Sequence, residues 1–220
     1  MANVLPRDKQ VAILRCLVEG CSVRATERLV DVSRETVLSL LVRVGDGCEK
    51  LMDATMRDLC CERLELDEIW GFVQKRQRHV RKDENPADVG DTWTFLAIDA
   101  ETKLIPAFRV GKRDGANTNS FVADLASRLK TRPQITSDGL ALYIDAIEAA
   151  FGRAVDYGQV IKSYEAEPAG AGRYSPPKIT QIEKAVVFGD PDLDTMSTSY
   201  VERANLTMRM QIRRMTRLTN

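Results

Sequence analysis

Leu64-Glu65-Leu66-Asp67-Glu68-Ile69-Trp70-Gly71-Phe72 is the stretch on which the reading of the fold turns. Its residues alternate well enough for a strand. An acid stands in the middle, where strand propensity disfavours one. Successive strand residues point to opposite faces, so Asp67 shares a face with Glu65 and Ile69 and opposes Glu68.

Toward the C-terminus, Lys75, Arg76, Arg78, Arg81 and Lys82 follow in eight residues without an acid. Asp91–Ile98 then predicts a second strand, closed by the turn Asp99-Ala100-Glu101-Thr102, and Leu104–Val110 a third. Together these three make an antiparallel meander, with Trp70 and Trp93 expected in the core. Asn117–Leu129 reads as an amphipathic helix with Phe121, Val122, Leu125 and Leu129 inward. A short strand, Gln134–Ser137, runs into Asp138-Gly139; a helix over Ala141–Phe151 and a strand over Tyr157–Ile161 follow. Residues 165–195 are rich in Pro and Gly, with one short strand expected at Ala185–Phe188. A last helix starts at Ser199, with Ser197, Thr198 and Ser199 as its caps, and is expected to run to about Leu218. A meander followed by alternating helices and strands predicts an α/β fold, a mixed sheet flanked by helices. The order matches the ribonuclease H-like fold.

Toward the N-terminus the pattern is helical. Val11, Leu14, Leu17 and Val18 fall on one face, Gly20 stops that helix, and Ser22 can cap a short second one from Val23 to about Leu29. After a turn of about four residues, Ser33 caps a third helix whose apolar face is Val37, Leu40, Leu41 and Val44. Its polar face carries Arg34, Glu35, Ser39 and Arg43, with Thr36 near the start. Two helices joined by a short turn, the second polar at its N-terminal end, predict a helix-turn-helix whose second helix meets base edges. The chain therefore divides into a small all-α domain at 1–60 and a larger α/β domain at 61–220.

Three acids hold special places in this arrangement. The first and fourth strands of a ribonuclease H-like sheet are neighbours, so the end of the fourth brings Asp138 beside Asp67. A helix packed on the sheet adds Glu202 from its first turn. Clustered carboxylates repel unless a cation joins them. All-oxygen ligands favour Mg²⁺ or Mn²⁺, and two such ions can activate an attacking oxygen and stabilise a leaving one on phosphorus.

In order and spacing, Leu64–Phe72 (LELDEIWGF), Thr92–Ala100 (TWTFLAIDA), Ile135–Gly139 (ITSDG), Thr198–Met210 (TSYVERANLTMRM) and Arg213–Asn220 (RRMTRLTN) resemble DDE transposases of bacterial insertion sequences, the insertion-sequence-one type above all. The resemblance covers nearly the whole chain. It carries the family's catalytic, metal-binding acids onto Asp67, Asp138 and Glu202, with two Mg²⁺ or Mn²⁺ ions as cofactors. It also implies a basic residue seven positions after the glutamate, where Arg209 stands, two turns along the same helix face. The implied reaction is cleavage of double-stranded DNA at the element's ends and joining to a target strand, by an oligomer of at least two copies in the bacterial cytoplasm, at the nucleoid. Arg34, Thr36, Ser39 and Arg43 would meet the ends. Lys75, Arg76, Arg203, Arg209, Arg213, Arg214 and Arg217 would grip phosphates. Family members usually carry a further C-terminal segment, so the copy reads as short at that end. The alternatives are a catalytically inactive, truncated copy acting as a DNA-binding repressor or inhibitor of transposition, and a nuclease of the same fold that cleaves without joining.

Composition restricts the rest. A single histidine, His79, leaves little room for a histidine-based triad or metal site. Five cysteines, Cys16, Cys21, Cys48, Cys60 and Cys61, contain no C-x-x-C pair and read as small buried hydrophobes in a reducing compartment. The 32 basic and 32 acidic residues cancel, but unevenly along the chain. Residues 64–102 and 133–202 are acidic and hold the three candidate ligands, while 103–132 and 203–220 are basic. Neutrality conceals a metal-binding centre beside DNA-holding segments, and does not exclude a DNA partner.

Overall fold

The computed structural model describes residues 4–153, 155–165 and 178–215. The chain forms two compact units, one from the residues up to Arg57 with those from Ala204 onward, the other from Asp58–Arg203. The residues from Ala204 onward group with the helical unit instead of with the sheet.

The helical unit contains α1 (Arg7–Val18), α2 (Val23–Val30) and α3 (Arg34–Thr55). Ser22 Oγ accepts from the amide of Ala25, and Ser33 Oγ from that of Thr36, so both expected caps form. Only three residues separate α2 from α3, and Asp31 takes the left-handed position there at φ 54°. Aspartate tolerates that conformation, which is why the turn needs no glycine. The core is small: Ile13, Val37 and Leu40 are buried, with Leu14, Leu17 and Val44 packed against them. Ile13 takes the central place expected of Val11 and Val18, which are exposed, and Leu41 is exposed as well. A helical period fixes a face only to within a residue or so, and Ile13 lies on its edge.

The second unit is α/β, built on a six-stranded mixed sheet in the order β3-β2-β1-β4-β5-β6. Its strands are β1 (Arg63–Val73), β2 (Gly90–Asp99), β3 (Phe108–Gly111), β4 (Gln134–Ser137), β5 (Asp156–Glu165) and β6 (Lys178–Phe188). The β1–β2, β2–β3 and β5–β6 pairs are antiparallel, and β4 runs parallel to both neighbours. Helices α4 (Gly115–Arg128) and α5 (Leu142–Phe151) cover one face. There Leu64, Leu66, Phe95, Ala97, Ile135 and Tyr157 of the sheet meet Phe121, Val122, Leu125, Tyr143 and Ile147. Burying side chains of this size stabilises by about 1.5–3 kcal/mol each. Trp93, half-buried, packs against this core as expected, while Trp70 is half-buried outside it.

Several expected elements change. β3 begins only at Phe108: Pro106 has no amide to donate, and Lys103 turns the chain at φ 65°. β5 extends to Glu165, and β6 spans eleven residues where a short strand over Ala185–Phe188 was expected. The last helix, α6, covers Ser199–Gln211 and gives way to a 3₁₀ turn at Arg213–Met215, short of Leu218. Leu218 and Arg217 lie outside the described residues. Of the cysteines only Cys61 is buried; Cys48 and Cys60 are exposed, against the small-hydrophobe expectation. Among the described residues no helix is long and apolar enough to cross a membrane.

Candidate metal centre

Register sets the centre. Glu65 pairs with Thr136 and Leu66 with Ser137 across the parallel β1–β4 ladder. The same register, carried one residue further, sets Asp67 beside Asp138. Asp138 closes the turn after β4, where its Oδ1 accepts from the amide of Leu140 at 3.1 Å. A buried polar chain fixes that turn from below. Ser137 Oγ meets the Tyr157 hydroxyl at 2.8 Å, and Gln159 Nε2 donates to that hydroxyl and to the Leu140 carbonyl.

The structure adds an acid to this pair. Asp67, Glu68 and Asp138 each present a carboxylate oxygen, and these lie within 4.8 Å of one another. Glu68 comes off β1 toward the α5 side, and only 1% of its side chain is exposed. Arg113 grips its Oε2 through Nε at 3.1 Å and Nη2 at 3.0 Å, and reaches Asp138 at 3.8 Å. The guanidinium also stacks on Trp93, 4.7 Å from the ring centroid. The other carboxylate oxygen, Oε1, and the Tyr143 hydroxyl are both buried, and the hydroxyl faces the Glu68 carboxylate. Burial is the main force pushing the Glu68 carboxyl up to about 7. The nearby Tyr143 hydroxyl and Arg113 oppose the rise, while Asp138 and Asp67 add to it.

Glu202 is not part of this close trio. It lines the same cavity, of about 540 Å³, together with Asp67, Asp138, Arg113, Lys162 and Thr198. Its Oε1 pairs with the ammonium of Lys162 and accepts from Thr198 Oγ1 at 2.7 Å. The expected caps of α6 divide their labour. Ser197 Oγ accepts from the Ser199 amide, Thr198 turns to Glu202, and the amides of Tyr200 and Val201 go to a carboxylate from β1, that of Glu65. Neither Glu65 nor Glu68 stood out in the sequence as a site residue. The available signal was the run of three acids in the four residues Glu65–Glu68 of a strand otherwise heading for the core.

The expected DNA-contacting residues are scattered. On α3, Arg34, Ser39 and Arg43 are exposed. Arg34 pairs with Glu27 at 3.4 Å, Arg43 donates to Gln10 at 3.3 Å, and the Thr36 hydroxyl meets Ser33 Oγ. Lys75 is joined to Glu84 at 2.5 Å, and Arg76 lies over the Trp70 ring. The acid-free run thus meets its acid two residues beyond Lys82. Arg203, Arg213 and Arg214 are exposed, and Arg209 donates to the Met215 carbonyl at 3.2 Å.

Comparison of the chain with protein-family models and with curated proteins finds no match.

Proposed function

We propose that the chain is a DDE transposase of the insertion-sequence-one type, with a ribonuclease H-like catalytic domain and a helix-turn-helix formed by α2 and α3. The observation that carries this reading is the parallel β1–β4 register, with Asp67 and Asp138 side by side in a cavity that Glu202 also lines. Strand order supports it too: an antiparallel meander, β3-β2-β1, continued by parallel β4.

The donor set fits hard divalent cations. It is all oxygen and gathers three carboxylates whose oxygens lie within 4.8 Å of one another. When bound, two Mg²⁺ or Mn²⁺ ions activate the attacking oxygen and stabilise the leaving one. Asp67 and Asp138 would be the principal ligands, Glu68 would supply a further oxygen beside them, and Glu202 would add its carboxylate from α6. Arg113 holds Glu68 in place and balances part of the negative charge. Water attacks the phosphodiester at an element end and displaces a 3′-hydroxyl. That hydroxyl then attacks a target strand, exchanging one P–O bond for another. The exposed Arg34, Ser39 and Arg43, with Thr36, read the ends, while Lys75, Arg76 and the arginines from Arg203 onward hold phosphates. Pairing two ends requires at least a dimer.

The test is strand cleavage and joining by the full chain on duplexes taken from the DNA on either side of its reading frame, with Mg²⁺ or Mn²⁺. Cleavage followed by joining is expected. Binding without cleavage identifies a DNA-binding inhibitor of transposition, and full activity in D67N or E202Q overturns the catalytic assignment.

A further inference from the structure

Glu65 is an acid that the reaction does not use, yet it is only 3% exposed. It lies two residues before Asp67 on the same face of β1. Its Oε2 accepts from the backbone amides of Tyr200 at 2.7 Å and Val201 at 2.9 Å. Those amides belong to the first turn of α6, whose N–H groups have no partners inside the helix. A carboxylate suits that place twice over, since its hydrogen bonds are charge-assisted and the helix end is electropositive. The next residue is Glu202.

A second side chain holds the same turn. Met196 is 2% exposed and presses against β5 at Gly158, where a Cβ would collide with its thioether. Met196 seats the segment that leads into α6, but it bears on β5. The tie to the strand that carries Asp67 is Glu65. Lys103 lies over the Tyr200 ring at 3.1 Å and adds a cation beside this carboxylate.

We infer that Glu65 is a positioning residue: by capping the first turn of α6 from β1, it fixes Glu202 relative to Asp67 and so sets the geometry of the second metal position. The inference rests on the transposase reading, in which Glu202 is a ligand. Glu65 Oε2 accepts its hydrogen bonds from the backbone of α6. Its effect therefore passes through Glu202, and the two residues act as one unit.

The experiment uses the full chain as wild type, E65Q, E65L, E202Q and the double variant E65L/E202Q. Three quantities are read: cleavage rate against Mn²⁺ concentration, Mn²⁺ binding without DNA, and hydrogen exchange at the Tyr200 and Val201 amides. E65L is expected to slow cleavage about 10–100-fold, as misplacement near a reacting centre does, and to raise the Mn²⁺ concentration needed for half-maximal rate. Affinity for end DNA stays as in wild type. E65Q, which keeps a carbonyl acceptor, recovers most of the loss. In the double variant the loss is no greater than in E202Q alone, and both amides exchange faster in E65L. A merely structural role predicts otherwise: losses from E65L and E202Q that multiply, with an unchanged Mn²⁺ requirement. That result overturns the inference, as does wild-type behaviour in E65L. If E65L fails to fold, E65Q decides: a modest rise in the Mn²⁺ requirement with faster exchange at both amides is expected from loss of the charge-assisted part of the cap, and wild-type values of both overturn the inference. A wild type that neither cleaves nor binds Mn²⁺ overturns the transposase reading, and this inference with it. A wild type that does both, alongside an indifferent E65L, overturns this inference alone.

Discussion

The two faces of β1 each bury a glutamate, and they satisfy it in opposite ways. On the α6 side, Glu65 is buried at 3% exposure, and two backbone amides meet its Oε2. On the α5 side, Glu68 is buried at 8% exposure, met by the Arg113 guanidinium at Oε2 and faced by the buried Tyr143 hydroxyl. Burial raises both carboxyls; at Glu65 the amides of Val201 and Tyr200 pull back against it. A carboxylate with fixed dipoles around it is a structural tie. One crowded by two further carboxylates is eased by a proton or a cation. The contrast separates a glutamate tied to backbone amides from one that lies within a cluster of carboxylates able to hold a metal ion.

The largest effect lies where the faces meet. Asp138→Asn keeps the shape of the side chain and the acceptor for the Leu140 amide, and removes a charge from the trio. Cleavage is expected to fall by about 10³-fold, roughly 4 kcal/mol in the barrier, with weaker Mn²⁺ binding in a titration without DNA. Unchanged Mn²⁺ affinity would show that the trio is not a metal site.

The next prediction separates the faces by pH. Glu68 titrates near 7 in the folded chain against a usual 4.5, so the native state holds a proton that the unfolded state has released. Stability from this group therefore falls as pH rises from about 4.5 to 7, and the deficit is complete above that window. At 1.36 kcal/mol per pH unit it amounts to about 3 kcal/mol at most. Glu68→Gln removes the dependence. Urea denaturation is expected to find the variant and wild type alike near pH 4 and the variant more stable at pH 8. Adding Mg²⁺ at pH 8 narrows the gap, because an ion that binds the folded state stabilises only the chain with the full ligand set. A gap of the opposite sign would mean that Glu68 is stabilised as a carboxylate.

A smaller effect comes from Arg113→Met. Removing the cation leaves a buried carboxylate unpaired, which costs 3–5 kcal/mol at fully buried sites. Arg113 keeps a third of its side chain exposed, so about 2 kcal/mol is expected at pH 8. At pH 5 the carboxyl is protonated and the cost shrinks. A pH-independent loss would assign the role of Arg113 to its stacking on Trp93 instead.

How far the sequence reveals these features depends on the range of the forces involved. Strands β1, β2 and β4 and helices α4 and α5 are legible because short apolar runs in the strands and a helical period in the helices coincide with burial. Asp138 is legible because it stands where a short strand meets a glycine turn. Glu68 is not, since its burial depends on Tyr143 of α5 and Arg113, 75 and 45 residues away in sequence. Glu65 is hidden for the same reason, its partners lying 135 and 136 residues on. Strand β6 escapes detection because its first seven residues are exposed, so no burial pattern marks them. Its pairing with β5 is a backbone ladder, to which side-chain pattern is blind.

The smallest prediction carries the contrast to a second helix start. Ser33 Oγ accepts from the Thr36 amide at 3.2 Å, the same task that Glu65 performs on α6, but with a neutral oxygen at an exposed position. Water can replace a lost cap there, so Ser33→Ala is expected to cost about 1 kcal/mol of the helical unit's stability, with no change in Mn²⁺ binding. The unit has few buried side chains, so even this loss matters to it. In the proposed reading the substitution also loosens the α3 terminus that meets base edges, and affinity for end DNA falls about 5-fold, which is 1 kcal/mol at 25 °C. A loss at Ser33 as large as that of E65L on cleavage would show that any cap in the chain has such reach. The distinction between a helix start that is merely completed and one that is aimed at a reacting centre would then collapse.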